Sequence, residues 1–315
     1  MARIWILGGG LVGCGWAAAF AGGGHQVVVI DPAPELATRL ARVWAEGQQA
    51  LAQLGRLVPA PQAPVPVVSA ADAGPAPDLV QEALPEQLAL KVPALAALEP
   101  HLRPDTVIAS SSSGLDPAQI AAALQRPERL VIGHPCTPPY LMPVVEICGA
   151  AGTEPAALDE AEALYKSLGK TVLRLNRPIA GHLVNRLQAA LWREAVHLAA
   201  EGVASLGDIE LAVNEGLAPR WCFVGPTGVF HLAGAEGGLQ RCLDALGPEF
   251  ERWWDELGTP RLDPWTRQIL VQGMAAHDPR PVAQIAQDRD QRLSRLLTYL
   301  QANTVSAPDA PEHPR

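Results

Sequence analysis

Three stretches of the chain carry side chains that could exchange a proton with a small molecule. Ser110-Ser111-Ser112-Ser113-Gly114 follows a strand-like run at 106–110, and His134 stands in Gly133-His134-Pro135 after the apolar run Leu130-Val131-Ile132. Glu146 lies inside Val144-Val145-Glu146-Ile147-Cys148, where its apolar neighbours point to a buried strand. A carboxylate in such a strand is costly without a partner, so Glu146 should seek a cation or a donor, and His134 on a neighbouring strand can supply it. In that pair the carboxylate orients the imidazole and stabilises its protonated form, which is an acid–base device. Plainer readings stand beside this one. A serine run is also a solvated loop, a lone histidine is commonly structural, and Asn185 in Leu183-Val184-Asn185-Arg186-Leu187 reads by itself as a cap or a polar surface residue near a helix start.

A second constellation lies at Ile4–Asp31. The apolar run Ile4-Trp5-Ile6-Leu7 ends in Gly8-Gly9-Gly10-Leu11-Val12-Gly13, an Ala-rich segment follows, and a second apolar run, Val27-Val28-Val29-Ile30, ends at Asp31. Gly8 permits the tight turn, Gly10 lets backbone approach a pyrophosphate, and Gly13 lets a helix sit close against its strand. The helix N-terminus then offers free N–H groups and a positive dipole end to the phosphates. Asp31 falls about twenty positions after Gly10, where an acid binds the adenosine ribose 2′-hydroxyl. The expected cofactor is NAD rather than NADP, because a carboxylate at 31 repels a 2′-phosphate and Pro32-Ala33-Pro34 supplies no arginine to neutralise one. Residues 4–24 carry no charge, so a secretory segment has to be weighed. Their density of glycine, and their direct run into a strand with a terminal acid, favour the phosphate loop.

The 315 residues suggest two domains. A net charge of −9 and a pI near 5.4 argue against nucleic acid or an anionic membrane as partner. No other segment is long and apolar enough to span a bilayer. Cys14, Cys136, Cys148, Cys222 and Cys242 are scattered without C-x-x-C spacing, which fits reduced thiols in a cytoplasmic enzyme. No metal cluster is expected.

The elements that must position these side chains follow from periodicity. Residues 35–55 form one helical face with Leu36, Leu40, Val43, Trp44 and Leu51, and Pro59 to Pro77 is a Pro/Ala-rich connector with a short strand at Val65–Val68. Further strands are expected at Asp78–Glu82, Thr106–Ser110, Leu130–Gly133, Val144–Cys148 and Thr171–Leu175, with helices at 85–98, 116–125 and 154–168. Strands alternating with helices mean an α/β fold, a Rossmann-type doubly wound sheet. From Ala180 to about Asn303 the pattern is helical throughout. The expected organisation is therefore a nucleotide-binding domain over 1–178, an all-α C-terminal domain over 179–304 that serves substrate binding and dimerisation, and a disordered tail over 305–315.

Taken together, the residues resemble the 3-hydroxyacyl-CoA dehydrogenase superfamily. Within it they are most similar to the CoA-independent branch that holds lambda-crystallin and L-gulonate 3-dehydrogenase. The resemblance runs from Ile4 to about Leu300 through GGGLVG, PEQLALK (85–91), the serine run with Gly114-Leu115, GHP…PPY (133–140), PVVE (143–146), LVNRL (183–187) and GLAPRWCFVGP (216–226). It implies hydride transfer between NAD and carbon 3 of a hydroxylated acid, with His134 taking the hydroxyl proton and Glu146 holding its tautomer. It further implies that Ser113 and Asn185 bond the substrate oxygen and the nicotinamide region, and that Leu11, Val12, Glu86 and Lys91 contact NAD. One departure stands out: Thr137 occupies the place, three after the histidine, where the family usually has Asn.

A free-acid substrate needs a cation for its carboxylate, ideally an arginine. The resemblance puts Arg220 in that place for a gulonate-type acid. A CoA ester would want basic residues after the second strand, and 59–78 contains neither Lys nor Arg. L-Carnitine dehydrogenase is a further relative by resemblance, and its trimethylammonium substrate would suit an aromatic cage, for which Trp192, Trp221, Trp253 and Trp254 are available. A non-catalytic crystallin-like protein is the rival of another class. An inert scaffold, however, has no physical need for Ser113, His134, Glu146 and Asn185 together.

Overall fold

The sheet is built from short, near-continuously apolar strands, as expected where both faces are covered. In the computed structural model, which describes residues 1–303, β1 (Arg3–Leu7), α1 (Leu11–Gly22), β2 (Gln26–Ile30), α2 (Leu36–Gln53) and β3 (Val65–Val67) form the first half. β4 (Leu79–Glu82), α3 (Leu88–Leu98), β5 (Val107–Ser110), α4 (Pro117–Ile120) and β6 (Leu130–Pro135) form the second. The strands lie in the order β3-β2-β1-β4-β5-β6, all parallel, which is the doubly wound arrangement with its switch between β1 and β4.

The far edge departs from simple alternation. β7 (Val144–Gly149) pairs antiparallel with β6, and after α5 (Pro155–Ser167), β8 (Thr171–Arg174) runs parallel to β7. The segment 136–143 that joins β6 to β7 carries no helix, and a parallel return needs a crossover of a dozen residues or more. The reversal has a chemical consequence. In the antiparallel register His134 stands directly opposite Glu146, so both side chains project from the same face of the sheet.

One face of the sheet packs under α1, α2 and α5 around Trp16, Phe20, Leu40, Val43 and Tyr165; the other packs around Trp5, Leu95, Leu98, Ile120 and Leu124. α1 is buried along almost its whole length because its residues are Gly and Ala around Trp16 and Phe20, which lets backbone approach the strands. The expected helix at 116–125 is shorter. Asp116 caps it by accepting the Ala118 N–H, and it ends in a 3₁₀ turn at 121–123. A polar chain crosses the core: the Tyr165 hydroxyl donates to Gln81 (2.6 Å), the Gln81 amide donates to Ser111 Oγ (2.9 Å), and the Trp16 indole donates to the same hydroxyl (3.2 Å). Burial pushes the Tyr165 phenol up, so it stays a donor.

By compactness the chain divides after Arg186, and the first unit regains the chain from Gln287 onward. α6 (Val184–Ala200) begins in the first unit, and the second unit, Leu187–Ala286, contains α7 (Leu206–Leu211), a π-helical turn at Ala212–Leu217, α8 (Ala218–Trp221), α9 (Pro226–Ala233), α10 (Gly238–Glu256) and α11 (Pro264–His277). α12 (Val282–Ala302) brings Leu293 and Leu297 against the first unit's core. The tail expected to be disordered, 305–315, lies outside the described residues.

β6 meets α5 tightly at Gly133, where an added Cβ would meet the Tyr165 hydroxyl at 2.0 Å. Gly133→Ala should therefore destabilise the chain by about 1–3 kcal/mol, read as a fall in the urea unfolding midpoint. An unchanged midpoint would mean that α5 can slide off the sheet freely.

Candidate active site

The glycine loop between β1 and α1 has the geometry its composition demands. Gly8 has φ of +100°, and a side chain there would strike the Ala83 carbonyl; a Cβ on Gly13 would lie 1.8 Å from the Gly8 oxygen. Gly10 caps α1 with open space around it and no side chain bonded to the helix's first N–H groups, while Leu11 is largely exposed. Free N–H groups at a helix N-terminus fit a pyrophosphate. Asp31 stands at the end of β2 and accepts the Gly9 N–H (2.6 Å) and the Ala33 N–H (2.8 Å). An ionised carboxylate has about four acceptor positions, so capacity for a ribose hydroxyl remains. One arginine escaped the expectation drawn from 32–34: Arg39 of α2 reaches back and donates to the Gly9 carbonyl at 2.8 Å. When bound, NAD accepts or returns the hydride; the chain's residues hold it and manage the proton.

After β4 the chain forms a second shelf. Glu86 Oε1 accepts from the Ser112 hydroxyl (2.6 Å) and from the N–H groups of Ser113 (2.9 Å), Gly114 (2.9 Å) and Leu115 (3.3 Å). Burial alone would raise the Glu86 carboxyl, but those donors and the Lys91 charge hold it below the usual carboxylate range. Lys91 is 1% exposed, and its ammonium donates to Glu82 (2.7 Å) and to the Leu84 carbonyl (3.1 Å), with Glu86 at 3.6 Å. The resemblance gives Lys91 a contact with NAD. Here its ammonium lies among two carboxylates and a backbone carbonyl. Glu82, fully buried, accepts in addition from the Leu84 N–H (2.6 Å) and from Ser110 Oγ.

The serine loop held by Glu86 delivers Ser113 to His134. His134 Nε2 is 3.2 Å from Ser113 Oγ and 3.3 Å from Asn185 Nδ2, while its Nδ1 is 2.9 Å from Glu146 Oε2. Glu146 is 1% exposed, and its other oxygen accepts the N–H groups of Leu183 (2.7 Å) and Val184 (3.0 Å) at the start of α6. Ser113, His134, Glu146 and Asn185, far apart in the chain, thus form one cluster. Burial pushes the proton affinity of His134 down, the Glu146 hydrogen bond pulls it up, and His182 pushes it down again, with a net lowering. His134 at neutral pH therefore carries its proton on Nδ1, toward Glu146, and offers the Nε2 lone pair to a hydroxyl placed between Ser113 and Asn185.

His182, absent from the sequence reading, is buried against this cluster. Its only signal was a polar residue after Gly181 in an otherwise apolar run. Thr137, next to the site in sequence, is exposed. Arg220 lies on α8 in the second unit with an exposed side chain.

The chain matches the NAD-binding domain of 3-hydroxyacyl-CoA dehydrogenase over residues 3–177 and the C-terminal domain of the same family over residues 181–268. It is 42% identical over 297 residues to an L-carnitine dehydrogenase of Streptomyces griseus, covering 94% of this chain and 89% of that protein. It is 33% identical to an L-carnitine dehydrogenase of Oceanobacillus iheyensis, covering 96% and 99%. Among solved structures it resembles the NAD+-dependent dismutase 5-formyl-3-hydroxy-2-methylpyridine 4-carboxylic acid 5-dehydrogenase, with a TM-score of 0.84 at 26% identity over 96% of this chain and 99% of the other. It also resembles the (S)-3-hydroxybutyryl-CoA dehydrogenase of Ralstonia eutropha, with a TM-score of 0.61 at 27% identity over 87% and 93%.

His134→Gln should lower turnover by about 10²–10⁴-fold while leaving NAD affinity nearly unchanged; comparable turnover would remove the imidazole from the chemistry. In the unaltered protein kcat/KM for oxidation should fall only below the ordinary histidine value of 6.5, because the lowered affinity of His134 keeps the base neutral above it. The NAD-binding and the C-terminal domain models of 3-hydroxyacyl-CoA dehydrogenase follow each other along this chain: the protein belongs to the 3-hydroxyacyl-CoA dehydrogenase family and is an NAD-dependent oxidoreductase.

Proposed function

We propose that the chain is an L-carnitine 3-dehydrogenase, transferring hydride between NAD and carbon 3 of that acid. The observation that carries this reading is the run of relatives named L-carnitine dehydrogenase, 42%, 40% and 38% identical along 94% of the chain. They favour the carnitine alternative over the gulonate-type acid that the sequence resemblance placed first. The absence of Lys and Arg from 59–78 weighs against a CoA ester.

In this reading the hydroxyl of carbon 3 lies within reach of His134 Nε2, with Ser113 and Asn185 fixing its oxygen. Bound NAD would supply the hydride acceptor for carbon 3, and the hydroxyl proton passes to Nε2 of His134 as the carbonyl forms. Glu146 stabilises the imidazolium that results. Reduction reverses each movement. The substrate carries both a carboxylate and a trimethylammonium group. In the second unit taken by itself, Arg220 and the indoles of Trp192, Trp221, Trp253 and Trp254 are exposed, and their chemistry suits the two groups respectively.

A homodimer belongs to the same proposal. In the second unit Val196, Ala199, Ile209 and Cys242 are buried, while Trp221, Phe223, Leu232, Trp254, Trp265 and Val271 are exposed. Such exposed apolar side chains support a second copy of the chain as partner. No described helix is long and apolar enough to cross a membrane; a cytoplasmic location stays part of the proposal.

The test is NADH absorbance with L-carnitine, gulonate, 3-hydroxybutyrate and 3-hydroxybutyryl-CoA. L-Carnitine should lead in kcat/KM by at least about tenfold. A different acid in the lead overturns the substrate, and no absorbance change with any of them overturns the reaction class.

A further inference from the structure

Gly9 is bracketed by opposite charges. Its N–H donates to the Asp31 carboxylate at 2.6 Å, and its carbonyl accepts from the Arg39 guanidinium at 2.8 Å and from the Cys14 thiol at 3.2 Å. The reach of Arg39 follows from the packing of α2. Leu36 and Leu40 are buried in the core, and a Cβ added to Gly9 would meet Leu36 Cδ1 at 2.1 Å. The first turn of α2 therefore lies on the glycine loop, and Arg39, one turn on from Leu36, reaches the loop from the same side. A neutral donor would serve the Gly9 carbonyl as well as a guanidinium does. What the guanidinium adds is a positive charge and further donors. It has five N–H groups, and among the described residues its side chain bonds only Gly9 and pairs with no carboxylate. Arg42, the next arginine of α2, is by contrast engaged by Glu46 at 3.2 Å.

An acid at the end of the second strand is the place of the adenosine ribose 2′-hydroxyl. Asp31 and Arg39 hold the two ends of a single glycine, so a group carried on the 2′ oxygen faces both charges. We infer that Arg39 is a specificity-determining residue of the cofactor site: it is a built-in partner for a 2′-phosphate, and the Asp31 charge is what keeps NADP out. Asp31 accepts from the 2′-hydroxyl of NAD and repels a phosphate there. The fork of Arg39 matches phosphate oxygens and attracts them. Preference for NAD is then the difference between two opposed side chains, and not the work of the acid alone. The inference concerns the cofactor and holds whichever hydroxy acid the chain oxidises.

The test compares the unaltered protein with Arg39→Gln, Asp31→Asn and the double variant. Gln keeps an N–H donor for the Gly9 carbonyl and drops the charge; Asn keeps the shape of the acid and drops its charge. NAD+ and NADP+ are each titrated as competitors of bound NADH, whose fluorescence reports occupancy with no substrate present. Asp31→Asn should raise the affinity for NADP+ relative to NAD+ by at least about tenfold. In either background Arg39→Gln should lower that ratio by about ten- to a hundredfold, the usual strength of a hydrogen bond to a charged group. A gain in NADP+ affinity that survives intact in the double variant overturns the inference. So does an equal weakening of both dinucleotides by Arg39→Gln, which would leave the arginine as a brace for the loop. If Asp31→Asn binds neither dinucleotide, the ratio measured for Arg39→Gln alone decides: a fall upholds the inference, and an unmoved ratio overturns it.

Discussion

The site depends on one buried carboxylate with two obligations. Glu146 gives one oxygen to the His134 imidazole and the other to the first N–H groups of α6. A carboxylate 1% exposed in the middle of a strand would be untenable without such partners. With them it is held by the positive end of a helix on one side and orients the His134 imidazole on the other. The geometry that makes this possible comes from the antiparallel turn of β7, which puts Glu146 across from His134. A parallel strand at that edge would set the two in another register.

Around that carboxylate the chain solves a second problem: delivering hydroxyl and amide groups to the free face of the imidazole. Ser113 arrives on a loop whose backbone N–H groups are gathered by Glu86, which is steadied in turn by Lys91. Asn185 arrives on the first turn of α6, whose start is fixed by Glu146 itself. The loop and the helix are then tied to each other through Gly181 and His182. A displacement of any of these parts moves the hydrogen-bonding groups at Nε2, and well-oriented reacting groups account for a large share of an enzyme's rate.

Much of this was legible in the residues because the backbone or the interior imposes strict demands at those positions. Gly8 and Gly13 record, in their lack of a side chain, a positive φ and a close helix–strand approach. Glu146 announced a partner because an acid flanked by Val and Ile in a strand requires one. The register that supplies the partner was not legible, since it depends on how 136–143 turns. Nor was His182, whose meaning comes from the Ser112 carbonyl seventy residues away and a backbone conformation that only the folded chain reveals. Lys91 was placed with the cofactor by resemblance, and its burial beside Glu82 was not legible from its place in the sequence. Substrate identity was the least legible feature. The sequence tied it to side chains such as Arg220 and the tryptophans, whose types fit several acids.

The most direct measurement is Glu146→Gln, read by turnover together with 15N NMR of the His134 ring. The amide keeps an oxygen for the α6 N–H groups but turns an N–H toward Nδ1, forcing the imidazole proton onto Nε2, where the base must be free. The account predicts a loss in kcat of about 10³–10⁴-fold, NAD affinity retained, and the ring proton moved from Nδ1 to Nε2. Turnover near that of the unaltered protein, with the proton still on Nδ1, would contradict it.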